Sequence, residues 1–247
     1  MKKLLAIIIT LLAILPAWAD SPKIVAHRGY WKAASGAQNS IEALAKADTA
    51  GIWGAEFDVW LTPDDVLVVN HNRVFKGVNM ETSPIDSILA VTLANGETLP
   101  TLEAYLQEAQ RHPDLHLVLE LKPMVSGIER EDEAARRVAE MIEAYGVADR
   151  TDIISFSINM CLTFKKVGPK QCEVYYLGGN IAPKEIKRLC LDGIDYNGGD
   201  LDAHPDWIQQ AHDLGLKVNV WTIDKPESKR RYTDMGVDFI TTNTPTE

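Results

Sequence analysis

The sequence predicts a (β/α)8 barrel, the TIM-barrel class of α/β fold. Three observations predict it. Eight short runs rich in Val, Ile, Leu, Phe and Tyr alternate with amphipathic helical stretches along the 247 residues. No Gly-rich phosphate loop follows an early strand, as an open doubly wound sheet would ordinarily show. The polar residues able to do chemistry gather at the ends of the strand runs, which a barrel brings together at one mouth.

The strand runs are residues 23–27, 55–60, 115–121, 152–156, 172–177, 193–197, 217–222 and 238–242. Between them lie helical patterns, among them residues 40–50, 101–111, 129–145 and 206–214. Gly51, Gly146 and Gly215 stand where left-handed C-caps belong. One further run, residues 66–70, breaks the alternation. It follows the second strand across Thr62-Pro63-Asp64-Asp65, which is turn chemistry. A linker that short permits only an antiparallel return, so this run is a hairpin arm. Residues 72–100 then form a partly ordered insertion near the barrel mouth. Five residues follow the last strand run, so the eighth helix is expected to be short or absent.

Residues 1–19 read as a signal peptide and residues 20–247 as one barrel domain. Lys2 and Lys3 precede an apolar run from 4 to 15, interrupted only by Thr10. Pro16 and the small-x-small site Ala17-Trp18-Ala19 follow. Cleavage after Ala19 would place the mature chain in the periplasm or outside the cell. The run is short for a membrane span, and no other segment of the sequence could make one. Loss of the two Lys takes the net charge from -10 to -12, since residues 1–19 hold no acid. Such an acidic chain argues against nucleic acid or anionic lipid as a general partner. An anionic substrate would need a local island of positive charge. Cys161, Cys172 and Cys190 lack metal-type spacing and read as small buried hydrophobes. The sequence is silent on oligomeric state.

His27 and Arg28 end the first strand. Glu56 and Asp58 lie two apart on the second, so both face the same side. His71 ends the hairpin arm, Glu120 and Lys122 end the third barrel strand, and Trp221 the seventh. Two inward acids among Ala, Phe and Val are costly unless a cation offsets them. With Glu120 they supply three hard oxygen donors, a set suited to one divalent cation, Mg²⁺ or Ca²⁺. The competing reading is a salt-bridge cluster with Arg28 and Lys122. Trp221 is either core or an apolar wall for substrate. His112, His116, His204 and His212 read as surface or capping residues.

Taken in order, His27-Arg28-Gly29, Asn39-Ser40-Ile41-Glu42-Ala43, Glu56-Phe57-Asp58, His71, Leu99-Pro100-Thr101-Leu102-Glu103 and Leu119-Glu120-Leu121-Lys122 resemble the signature of the glycerophosphodiester phosphodiesterase family. The resemblance closes with Val220-Trp221-Thr222 and the stretch from Gly236-Val237-Asp238 to Asn243-Thr244-Pro245. It implies a TIM barrel, a divalent cation, and hydrolysis of a small glycerophosphodiester to an alcohol and glycerol 3-phosphate. It further implies that His27 and His71 are the acid/base pair, that Glu56, Asp58 and Glu120 hold the metal, and that Arg28 and Lys122 contact phosphate. Two positions depart from the pattern. Gln38 stands where Glu is common, and Asn72 where Asp is common. Two other outcomes stay open: a lyase that stops at a cyclic phosphate, and an exported binding protein without turnover.

Overall fold

The computed structural model describes residues 21–247; the signal-peptide reading of residues 1–19 falls outside them. Eight parallel strands close into a barrel: β1 (Lys23–Ala26), β2 (Gly54–Leu61), β6 (His116–Leu121), β7 (Thr151–Ser155), β8 (Val174–Tyr176), β9 (Gly193–Asn197), β10 (Lys217–Trp221) and β11 (Phe239–Thr242). Hydrogen-bonded order around the wall is β1-β11-β10-β9-β8-β7-β6-β2, and β2 returns to β1 through Val25↔Gly54 and Ala26↔Ala55.

The strands obey the two-residue period. On β2, Ala55, Phe57 and Val59 face outward and pack with Leu44, Leu106 and Val138 of the helical layer. Val25, Val118, Ile154, Tyr175 and Phe239 form a separate apolar plug, as inward residues of a barrel do. Phe57 is wholly buried, and its truncation to Ala would cost about 3–5 kcal/mol.

Helices α1 (Ile41–Thr49), α3 (Leu102–Ala109), α4 (Ile128–Ala144), α5 (Ile158–Val167), α6 (Pro183–Arg188), α7 (Gly198–Ala203), α8 (Trp207–Asp213) and α9 (Pro226–Asp234) fill the crossovers. Ser40 and Thr101 cap α1 and α3 by accepting from Ala43 N and Ala104 N. No helix follows β11 among the described residues, in line with the expected short or absent eighth helix. None of the described helices is long and apolar enough to cross a membrane.

The hairpin arm is β3 (Leu67–Val69), paired antiparallel with the end of β2 through Val59↔Val69, Trp60↔Val68 and Leu61↔Leu67. The insertion is better ordered than its sequence suggests. It folds as a ribbon, β4 (Val74–Phe75) and β5 (Val78–Asn79), turned by Lys76 and Gly77, both at positive φ. Helix α2 (Ile85–Leu89) follows. Met80, Ile88, Val91, Leu93 and Leu99 pack on Trp60 and Val68 to make a small core of their own. Glu81 pins the insertion to the loop after β6, accepting from Val125 N at 3.0 Å and Ser126 Oγ at 3.1 Å. Of the three cysteines, Cys161 and Cys172 are buried as expected. Cys190 is exposed, because it lies past the end of α6, at positive φ, rather than inside the strand that follows.

Candidate active site

The end of β1 turns back sharply, with Arg28 and Gly29 both in the left-handed region. This aims Arg28 N–H at Glu56 Oε2 (2.7 Å) and Gly29 N–H at the Glu56 carbonyl (2.9 Å). Only glycine fits at 29, since a Cβ there would stand 2.8 Å from Ala43 Cβ. Asn39, also at positive φ, clasps Asp58: its Nδ2 donates to Oδ2 at 2.7 Å, and its Oδ1 accepts from Asp58 N at 3.2 Å.

Glu56, Asp58 and Glu120 are all buried and converge, each offering one oxygen within 4.8 Å of the others. Lys122 Nζ reaches Asp58 and Glu120, at 2.9 Å each. The Arg28 guanidinium instead donates to Gln38 Oε1 at 2.7 Å. Among the described residues, Lys122 is the one side-chain cation paired with the cluster, and it reaches two of the three acids. Glu56 Oε1 is buried and has no hydrogen-bond partner among the described residues. Burial and the neighbouring carboxylates push Glu56 well above the usual carboxylate range. Burial, then Asp58, pushes Glu120 up to about 8. Burial opposes ionisation of Asp58 as well, but Lys122, His71 and Asn39 outweigh it and hold the carboxyl low. The cluster thus carries more acid than side-chain base, with one buried carboxylate oxygen unpaired among the described residues. An all-oxygen donor set of this charge fits a hard divalent cation.

His27 and His71 flank the acids. His27 sits at the end of β1, its Nδ1 2.9 Å from Asn243 Oδ1. Burial, then the Arg28 charge, lowers its pKa to about 4. His71 follows the arm, with Nδ1 2.9 Å from Asn72 Oδ1. Burial lowers its pKa too, with the Asp58 charge opposing. Both line one cavity of about 150 Å³ together with Arg28, Glu56 and Glu120. The apolar part of the lining includes Phe156, Leu177 and Trp221. Phe156 packs edge-on to Trp221, whose Nε1 donates to the Asp195 carbonyl at 2.9 Å. Trp221 is therefore a wall of the cavity. Beyond His71 lies a second cavity of about 280 Å³, bordered by Gln38, Asn72, Phe75 and Lys76. The insertion thus shapes the mouth.

The eight residues singled out from sequence meet at this end of the barrel, with Asp58 and Lys122 set just behind the cavity lining. Sequence reasoning gave no role to Asn39, which holds Asp58, or to Asn243 and Asp224, which hold His27. It also passed over Asp195, a buried acid beneath the cavity whose pKa burial raises to about 7. Neutral amides and isolated acids carry little signal of their own; the motif position of Asn39 and Asn243 was the only available clue. The other histidines serve structure: His112 bonds to Asp48, His116 to Asp152, His212 to Asp238, and His204 stacks on Trp207.

Fold and site together define a TIM-barrel enzyme whose centre is a buried carboxylate cluster between two histidines. The chain belongs to the glycerophosphoryl diester phosphodiesterase family, which it matches over residues 27–247. A glycerophosphodiester phosphodiesterase of known crystal structure from Parabacteroides distasonis is 44% identical, over 92% of this chain and 94% of that one, with a TM-score of 0.89. The glycerophosphodiester phosphodiesterase of Caldanaerobacter subterraneus is 27% identical, over 90% of this chain and 94% of its own. An Oleispira antarctica phosphodiesterase, solved with the product sn-glycerol-3-phosphate, shares the fold at 20% identity and a TM-score of 0.80, over 91% of this chain and 94% of that one.

Proposed function

We propose that this phosphodiesterase hydrolyses glycerophosphodiesters to an alcohol and glycerol 3-phosphate, using a divalent cation held by Glu56, Asp58 and Glu120 and proton transfer by His27 and His71. The observation that carries the reading is a cluster of three buried carboxylates, two of which line one cavity with both histidines. The relatives' named activities, and the product bound by the Oleispira antarctica enzyme, support the choice of substrate class.

The substrate is a monoanion whose nonbridging oxygens gain charge on the way to the transition state. Arg28, bordering the cavity, would attract those oxygens. Lys122 has spent two of its three N–H bonds on carboxylates and has one left for phosphate. A bound cation supplies charge neutralisation at phosphorus. One histidine accepts the proton of the attacking oxygen, and the other donates to the departing alcohol. Phe156, Leu177 and Trp221 offer the glycerol carbons a dry surface, while the cavity beyond His71 takes the alcohol.

The test is release of glycerol 3-phosphate from glycerophosphoglycerol or glycerophosphocholine, with and without EDTA. Chelation should abolish release and added Mg²⁺ or Ca²⁺ restore it, and Glu56→Gln should raise the cation concentration needed by about 10–100-fold. Release indifferent to EDTA would refute the metal; ³¹P NMR showing a cyclic phosphate as the final product, or binding without release, would refute the hydrolysis. We further place the mature chain in the periplasm or outside the cell, on the pattern of residues 1–19; N-terminal sequencing of the exported protein should begin at Asp20.

A further inference from the structure

Asp224, Asn243 and His27 form one chain of hydrogen bonds. Asp224 Oδ1 accepts from Asn243 N at 2.7 Å and from Thr242 Oγ1 at 3.1 Å; its Oδ2 lies 2.9 Å from the Asn243 amide. Burial opposes ionisation of Asp224, but these donors outweigh it and keep the carboxyl below the ordinary range. An ionised carboxylate only accepts, so the Asn243 atom facing it is the NH₂ group. The amide oxygen then faces the other way, toward His27 Nδ1 at 2.9 Å and Trp31 Nε1 at 3.1 Å. An indole N–H only donates, so Trp31 independently requires oxygen at that end. Two unrelated partners fix the same amide orientation.

An amide oxygen has no proton to give. His27 Nδ1 must carry the hydrogen in their bond. His27 lines the cavity, and its Nε2 has no hydrogen bond among the described residues, yet it is not among the buried orphan atoms. It therefore opens to the cavity. A neutral imidazole holds one N–H, so Nε2 presents a lone pair there.

We propose that Asn243 and Asp224 are positioning residues that lock His27 as its Nδ1–H tautomer and so make His27 the proton acceptor of the reaction. Donation to the leaving alcohol then falls to His71. The tautomer stands on geometry alone; the role in turnover rests on the function proposed above.

The experiment is long-range ¹H–¹⁵N NMR on the ¹⁵N-histidine-labelled full chain at mildly alkaline pH, with and without Mg²⁺. His27 is assigned by the signals lost in His27→Gln. Wild type should show a protonated Nδ1 and a bare Nε2, the reverse of free neutral histidine's preference. Asn243→Ala keeps the backbone N–H bond to Asp224 and should shift His27 toward the Nε2–H form. Its kcat should fall about 10–100-fold with KM little changed. Asp224→Asn should shift the tautomer in the same direction by less, because its amide can rotate to donate to Asn243. A wild-type His27 protonated at Nε2, or an Asn243→Ala spectrum unchanged from wild type, overturns the proposal. So does a shifted spectrum at unaltered kcat. Were wild type to turn over no glycerophosphodiester, the functional reading would fail while the tautomer could still be read.

Discussion

His27 reaches the cavity from the end of a barrel strand, while His71 reaches it from the end of an arm laid on the strand next door. The first is gripped by residues from the far end of the chain, Asn243 at 2.9 Å and, through it, Asp224. The second has, among the described residues, only its neighbour Asn72 hydrogen-bonded to its ring, and it borders two cavities. One imidazole is set by the closed barrel, the other by local chain. The difference matches the two tasks: a proton acceptor gains from a fixed lone pair, whereas the group serving the leaving alcohol must meet alcohols of different shape.

The largest effect that would break this contrast is loss of either ring. His27→Ala and His71→Ala should each lower kcat on the order of a thousandfold. Added imidazole should restore part of the activity to the His71 variant, whose site opens on two sides, and little to the His27 variant. Equal rescue of both would erase the distinction.

Next in size is the pH dependence of folding in EDTA-treated protein. The His27 pKa drops from about 6.5 unfolded to about 4 folded. The unfolded chain therefore binds the extra proton between those values. Stability is full above about pH 6.5 and declines as pH falls toward 4, by up to about 3 kcal/mol for this residue. In denaturant titrations at pH 7.5 and 5, His27→Asn should flatten that decline more than His71→Asn does. A decline identical in both variants would put the depressed value elsewhere.

Smaller effects sharpen the other half of the comparison. Asn72→Asp places a charge beside His71 and should raise its pKa, moving the alkaline limb of the kcat profile upward by a few tenths of a unit to one unit while leaving the His27 tautomer alone. Lys76→Ala removes a cation bordering the outer cavity. It should change kcat/KM by about two- to fivefold for alcohols carrying negative charge, and hardly at all for neutral ones. A uniform change across alcohols would mean that Lys76 acts only on the fold of its turn.

Much of this was legible in the amino-acid order. The barrel strands announced themselves as apolar runs, and all eight appear within two residues or so of the expected bounds at each end. Glu56 and Asp58 stood out because acids two apart on an apolar strand must share a face, and Glu120 because it ends the next barrel strand at the same mouth. The order inside the insertion was not legible, since Met80, Ile88, Val91, Leu93 and Leu99 have no single period and cohere only once Trp60 and Val68 are placed beside them. Nor was the grip on His27. Asn243 and Asp224 come from the far end of the chain, and of the two left-handed positions that bring the strand ends into line, Asn39 is a residue type that favours that region but Arg28 is not.

The apolar residues of the insertion form a cluster separate from the one beneath the helices. A descendant of this chain could reshape the outer cavity by exchanging Phe75 or Leu93, which belong to that cluster and border the cavity, without repacking the barrel or moving the acids. New substrate ranges are thus accessible through short mutational paths that leave the machinery for breaking the P–O bond in place.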